Sequence, residues 1–293
     1  MRPNRVGLLL AVFSACATTQ KPERLIDAVP ERAATSGEAL LGWIPGGAEV
    51  LVEVDVARIR DNATVGPIVA LMDKLPVKNP LGLNWDLIVG IDAIVSASYQ
   101  VGRANAATVT LVRGEGVSRI ANATRLDART VVLADAVWTQ KVQAAGSGKI
   151  SSMRADHSLL RIRTVAMPEA AEAAAFRVSA KLDFKARVAL VREFDLEFAP
   201  RTVSLWADVV DDFATVVVLE EGTAARAKSM GKALQSWSEQ AAMIPMVRAA
   251  RLSRAIRSMR VVRQGRRVRA VLLIGPARLQ NVVKRVTGKI GES

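Results

Sequence analysis

The sequence predicts an α+β fold: antiparallel sheets with helices on one face, built as two similar strand–helix–hairpin–helix modules. Three observations carry this. Two alternating, β-branched runs each end in an aspartate and then turn helical. Hairpin patterns follow both runs. Glycine and proline punctuate at corresponding places.

The first run is "AEVLVEVDVARIRDN". Val50, Val52 and Val54 alternate with Leu51, Glu53 and Asp55, the period of a strand. Asp55 stands where a helix N-cap belongs, because its carboxylate can accept the free amides of the first turn. A helix is expected to about Asp73, broken near Gly66-Pro67. The second run is "FRVSAKLDFKARVALVREF", in which Val178, Ala180 and Leu182 lead to Asp183 and a helix to Phe194. Asp55 and Asp183 are read as structural caps, since each stands alone at a strand-to-helix joint.

Each half then carries a hairpin and a helix. "AIVSASYQVGRANAATVTLVRGEG" runs into "VSRIANAT", and "TVSLWADVVDDFATVVVLEEG" runs into "TAARAKSMGKALQSW". A third hairpin, from Met259, takes Gln264-Gly265 as its turn and has Pro276 near N1 of the last helix. The modules are placed at 43–148 and 158–290, with the join in "GSGKISSMRADH".

The N-terminus speaks to location. Arg2 and Arg5 precede a short apolar run, Val6 to Phe13, followed by Ser14 and Ala15. This is the pattern of a secretory signal peptide at 1–15. The run is far shorter than the roughly 20 residues that span a bilayer. Cys16 follows directly, and it is the chain's one cysteine. "FSAC" resembles a bacterial lipobox, with Phe13 in place of the usual leucine, so lipidation of Cys16 is the favoured expectation. Cleavage after an Ala15-Cys16-Ala17 site and an uncleaved anchor are the competing readings. Residues 16–42 then form a lipidated, polar tether, with a short helix from Pro22 to Ala34 as the alternative. Ala17, where an aspartate would signal inner-membrane retention, points to the outer membrane facing the periplasm.

The start "FSAC" together with "WIPGGAEVLVEVDVARIRDN" and "APRTVSLWADVVDDFATVVVLEEG" resembles a group of uncharacterised myxobacterial-type envelope lipoproteins. The resemblance implies an envelope location and this fold, and it carries no activity.

Catalytic constellations are hard to find. The single histidine, His157, is read as a loop or strand-start residue, since Asp156 and Ser158 beside it point elsewhere. One cysteine and one histidine do not make a zinc site. Asp208, Asp211 and Asp212 of "DVVDD" are read as solvated turn carboxylates, not a calcium loop. No nucleotide-binding glycine motif follows a strand. The five tryptophans (Trp43, Trp85, Trp138, Trp206 and Trp237) are dispersed and read as packing residues. No cofactor and no metal are expected.

Net charge is +13, and 13 of the 41 Lys and Arg lie in residues 243–293 against one acid, Glu292. Arg248, Arg251 and Arg254 are expected on one helical face. Arg260, Arg263, Arg266, Arg267 and Arg269 surround the third hairpin, with Arg260 and Arg263 on opposite faces and Arg267 and Arg269 sharing one. Export disfavours nucleic acid as the partner. A solvated face is the plain reading, and anionic lipid or glycan phosphates or an envelope protein are the functional ones. The expected function is a lipid-anchored, non-enzymatic binding or scaffolding module. A carrier of an apolar or acyl ligand, or a carboxylate-dependent hydrolase, are the alternatives.

Overall fold

A computed structural model describes residues 36–69, 90–166, 174–194, 199–249 and 251–291. The stretch read as a signal peptide, Cys16, the expected helix end near Asp73 and Trp85 lie outside the described residues. The strands are β1 (Val50–Asp55), β2 (Ile91–Tyr99), β3 (Ala107–Gly114), β4 (Thr124–Arg125) and β5 (Thr130–Leu133), then β6 (Phe176–Lys181), β7 (Thr202–Val209), β8 (Phe213–Glu220), β9 (Arg260–Gln264) and β10 (Arg267–Ile274). The helices are α1 (Ser36–Leu40), α2 (Val56–Arg60), α3 (Gly66–Val69), α4 (Ala136–Gly146) and α5 (His157–Ala166), then α6 (Phe184–Phe194), α7 (Ala224–Met243), α8 (Pro245–Ala249), α9 (Ser253–Arg257) and α10 (Pro276–Gly291).

The strands form one ten-stranded sheet in the order β4-β5-β3-β2-β1-β6-β7-β8-β10-β9. Every neighbouring pair is antiparallel, so the α+β class expected from the hairpins is the one observed. The two halves meet where β1 pairs with β6, with Val52 opposite Val178 and Glu53 opposite Arg177. Counted outward from that junction, each half runs first, second, third, fifth, fourth strand.

Helices cover both faces of this sheet, where the sequence suggested one. The face of Leu51 also carries Val95, Ala97, Val109 and Leu111, and it packs on Leu40 of α1, Val142 of α4 and Leu159 of α5. The opposite face carries Val203, Val217, Leu219, Val268 and Ala270 under Ala227, Met230 and Leu234 of α7. There too, Ala207, Phe213 and Ile274 lie under Ile256 of α9 and Leu279 of α10. The reason is compositional. Neighbours such as Ile94 and Val95, or Leu111 and Val112, are all buried although they point to opposite faces, so both faces need cover.

The caps act as expected. Asp55 accepts from the Arg58 amide at 2.9 Å and Asp183 from the Ala186 amide at 2.8 Å. The break after α2 comes earlier than Gly66-Pro67. Asn62 makes it by accepting from the Thr64 and Val65 amides while donating to the Val209 and Val210 carbonyls. "VSRIANAT" forms only one 3-10 turn, Gly116–Arg119. Beyond it lie β4, β5 and α4, which the hairpin pattern did not reveal; α4 has its own cap, Asp135, on the Trp138 amide. The turn of the third hairpin is Gly265-Arg266, one residue later than expected, because Gln264 still pairs with Arg267. Gly265 takes φ +57°, a conformation glycine adopts without strain. Pro276 is the first residue of α10, as expected. Ser36–Leu40 forms α1 inside the stretch read as tether, and Leu40 and Leu41 are core residues.

Asp208 is not a turn carboxylate. It lies in β7, buried, and receives both Nε and an Nη of Arg58, the Nε bond at 2.7 Å. The Ala175 amide also donates to it, at 3.2 Å. Only Asp211 and Asp212 sit in the turn. Arg58→Met should destabilise the protein by about 3–5 kcal/mol, because it strands a buried carboxylate. Arg58→Met with Asp208→Leu should cost much less. Urea denaturation of the two single variants and the double variant measures the coupling; equal losses in single and double variants would refute it.

Candidate functional site

Three polar features stand out. The first is a buried seam on the Leu51 face at the β1–β6 junction. Glu53 and Arg177, each 2% exposed, form an ion pair at 2.9 Å. Trp206 and Ser204 of β7 and Ser179 of β6 lie beside it on the same face. The Oγ atoms of Ser179 and Ser204 and Nε1 of Trp206 are buried without a hydrogen-bond partner among the described residues. Groups of this kind are commonly satisfied by ordered water. Sequence reading passed over the seam, although a signal was present: Glu53 and Arg177 are opposite charges inside two runs already matched as equivalents.

The second feature is an open cleft of about 590 Å3, lined by Pro45, Trp138, Lys141, Ser151, Asp156 and His157 among others. Its floor is tightly tied. Asp156 accepts from the Gly47 amide at 2.7 Å and the Ser158 amide at 3.0 Å. Partial burial pushes its carboxyl up, but the two amides, the Ser158 side chain and the charge of Lys181 together outweigh this and hold it below the ordinary value. The Tyr99 hydroxyl donates to the Pro45 carbonyl at 2.7 Å. Burial, and then the charge of Asp156, push that phenol well above its usual range. Trp138 packs on the Tyr99 ring, at 4.1 Å between centroids, and the Lys141 ammonium lies over it, 4.0 Å from its ring centroid.

His157 reaches this cleft as the first residue of α5, a helix start where a loop or strand start was expected. Asp156 gives its acceptors to backbone amides, so Asp156 and His157 do not form the base-and-orienter pair of a hydrolytic triad. Asp156 is also the one carboxylate among the described lining residues, so the cleft does not assemble the two acids of glycosidase-type chemistry. Among the described residues no cluster of three His, Cys, Asp or Glu could hold a metal ion.

The third feature is a basic rim at the β9 edge. Arg248 lies in α8, Arg254 in α9, and Arg251 between them at φ +56°. They do not share one helical face, because the chain breaks at Arg251 into two helices of five residues. Arg260 pairs with Val271, so it shares the Leu51 face with Arg267 and Arg269, while Arg263, opposite Val268, is on the other face. Glu220 takes Arg267 at 3.3 Å and Arg266 at 3.9 Å. Arg248, Arg251, Arg254, Arg260, Arg263 and Arg269 have no acidic partner among the described residues and are all exposed. Elsewhere arginines such as Arg58, Arg103, Arg129 and Arg177 each hold a carboxylate.

Among the described residues no helix is long and apolar enough to cross a membrane. No protein-family model matches the chain, and no curated protein matches it. Among solved structures, crystal form I of TP0453 is similar over 87% of this chain and 98% of its own, at 12% identity and a TM-score of 0.42.

The Asp156 carboxylate gives a pH-dependent prediction. A depressed carboxyl contributes stability that is present above its ordinary value of 3.8 and is lost as pH falls through the lower folded value. Asp156→Ala should cost about 1–3 kcal/mol at pH 7. Its deficit against the parent should shrink as pH falls below about 4. Urea midpoints at pH 7 and pH 3 read this out, and a deficit that is unchanged at pH 3 would count against it.

Proposed function

We propose that this chain is a lipid-anchored protein of the bacterial cell envelope, on the periplasmic side of the outer membrane, and that it works there as a non-enzymatic binding or scaffolding module. One observation carries the reading: charged Arg2 and Arg5, the short apolar run Val6 to Phe13, and Cys16 directly after Ser14-Ala15. That order of n-region, h-region and cysteine is what a lipoprotein export signal requires. Two or more acyl chains on Cys16 supply the membrane affinity that a single chain does not.

The cleft supports the non-enzymatic half of the reading. Its acid is engaged with backbone amides, and no second carboxylate stands among the described lining residues. A scaffold needs a rigid body, and the continuous sheet, with one buried ion pair between β1 and β6 and another tying α2 to β7, suits that role.

Cys16→Ala should move the protein out of the membrane fraction and abolish labelling with a radioactive fatty acid. Membrane fractionation and acyl labelling together decide it. Unchanged partitioning of the variant, with no label on the parent, would refute lipidation.

A further inference from the structure

We propose that the β9–β10 edge is a docking surface for the anionic headgroups of a lipid bilayer, so that the anchored body lies with this edge against the membrane. The inference rests on the membrane-anchored reading for proximity, and on the rim itself for chemistry.

The rim is unusual within this molecule. Its arginines are exposed and, apart from Arg266 and Arg267, lack acidic partners among the described residues. Local compensation is scarce, since residues 243–293 contain one acid. Among the described residues, α7 and α9 meet β10 on the opposite face, while on the Leu51 face Val271 and Leu273 pack with Trp206 and Val216 and the outer part of the hairpin is exposed. That open face presents Arg260, Val262, Arg267 and Arg269 together. Val262, 44% exposed, is an apolar tip among cations. Guanidinium groups around a small apolar tip fit the phosphate layer of a bilayer, with the aliphatic stems at the acyl boundary. Arg263 and the exposed Arg254 and Arg257 continue the charge around the edge.

The geometry allows contact. From Cys16 to Ser36 the chain can span at most about 70 Å. A tether of that length neither prevents nor enforces contact, so the charge decides orientation. Attraction to an anionic surface is worth about fivefold in affinity per basic residue near it, and it weakens as salt shortens the Debye length.

The test uses the full chain carrying Cys16→Ala, so that acylation contributes nothing. Co-sedimentation is measured with vesicles of pure phosphatidylcholine and with vesicles containing phosphatidylglycerol, at low and at physiological salt. Binding should require phosphatidylglycerol and weaken with salt. Arg260→Gln/Arg263→Gln/Arg269→Gln should reduce it on the order of a hundredfold. The same three positions changed to lysine should bind like the parent, which excludes a folding defect. Arg226→Gln/Lys228→Gln/Lys232→Gln, removing equal charge from the exposed side of α7, should reduce it by no more than a few fold. Equal losses in the two glutamine triples would overturn the proposal, leaving only net charge. So would equal binding to both vesicle types. Displacement by inorganic phosphate better than by chloride at matched ionic strength would overturn it in favour of a discrete phosphate site. Preference for a soluble acidic peptide over vesicles would overturn it in favour of a protein partner. Because Cys16 is absent throughout, failure here leaves the anchor standing, and failure of acyl labelling leaves this result readable.

Discussion

The fold depends on the pairing of β1 with β6, and at its centre is the ion pair of Glu53 with Arg177. Without that pairing, the ten strands are two five-stranded sheets, each with an open central edge. With it, the sheet is continuous and the Leu51 face can share cover from α1, α4 and α5. A buried charge pair is weak evidence for stability, because desolvation offsets most of the attraction. Its stronger effect is on register. A slip of one residue would turn Glu53 to the opposite face and leave both charges buried apart.

Charge is distributed in two ways in this protein. Near the junction, Arg58 and Arg177 are buried and matched by Asp208 and Glu53, and farther along the sheet half-buried Arg187 lies near Glu221. At the β9 edge they are exposed and mostly unmatched. The sheet's two ends also differ from a bare edge in different ways. β4 is only two residues long, while β9 carries Arg260 and Arg263. Short strands and charged strands both discourage pairing with another chain. The β9 arginines therefore have a structural use whether or not they also meet lipid.

Much of the fold was legible because it rests on local rules. Alternation at Val50 to Asp55, the aspartate caps, the β7–β8 hairpin and Pro276 at the start of α10 follow from period, capping and proline geometry. What was not legible is non-local. The burial of Asp208 depends on Arg58, far away in sequence, so a rule that places "DVVDD" in a turn misassigns its first residue. The Arg248–Arg254 ladder looked helical by spacing, but the apolar residues in and around it, Val247, Leu252 and Ile256, pull the chain into two short turns over the sheet. Double-sided cover was hidden for a related reason: runs such as "AIVSASY" hold apolar residues on both faces, and alternation is only part of their pattern. The cleft combines Pro45, Trp138 and Asp156 from three separated segments, and no spacing in the sequence joins them.

The β1–β6 junction also has a consequence for the order of folding. β1 is made long before β6, and the two are paired across 124 residues at Glu53 and Arg177. During synthesis, the first half must wait with β1 as an unprotected edge strand. Contacts of such separation are slow to close. In that interval the Glu53 carboxylate acts as an inward-pointing charge on an edge, a device that discourages apolar partners from adding there. The arrival of Arg177 turns the same residue from a guard into a clasp. A chain stopped before β6 would keep the guard and lack the clasp, and its most exposed surface would be the strand that becomes the centre of the finished sheet.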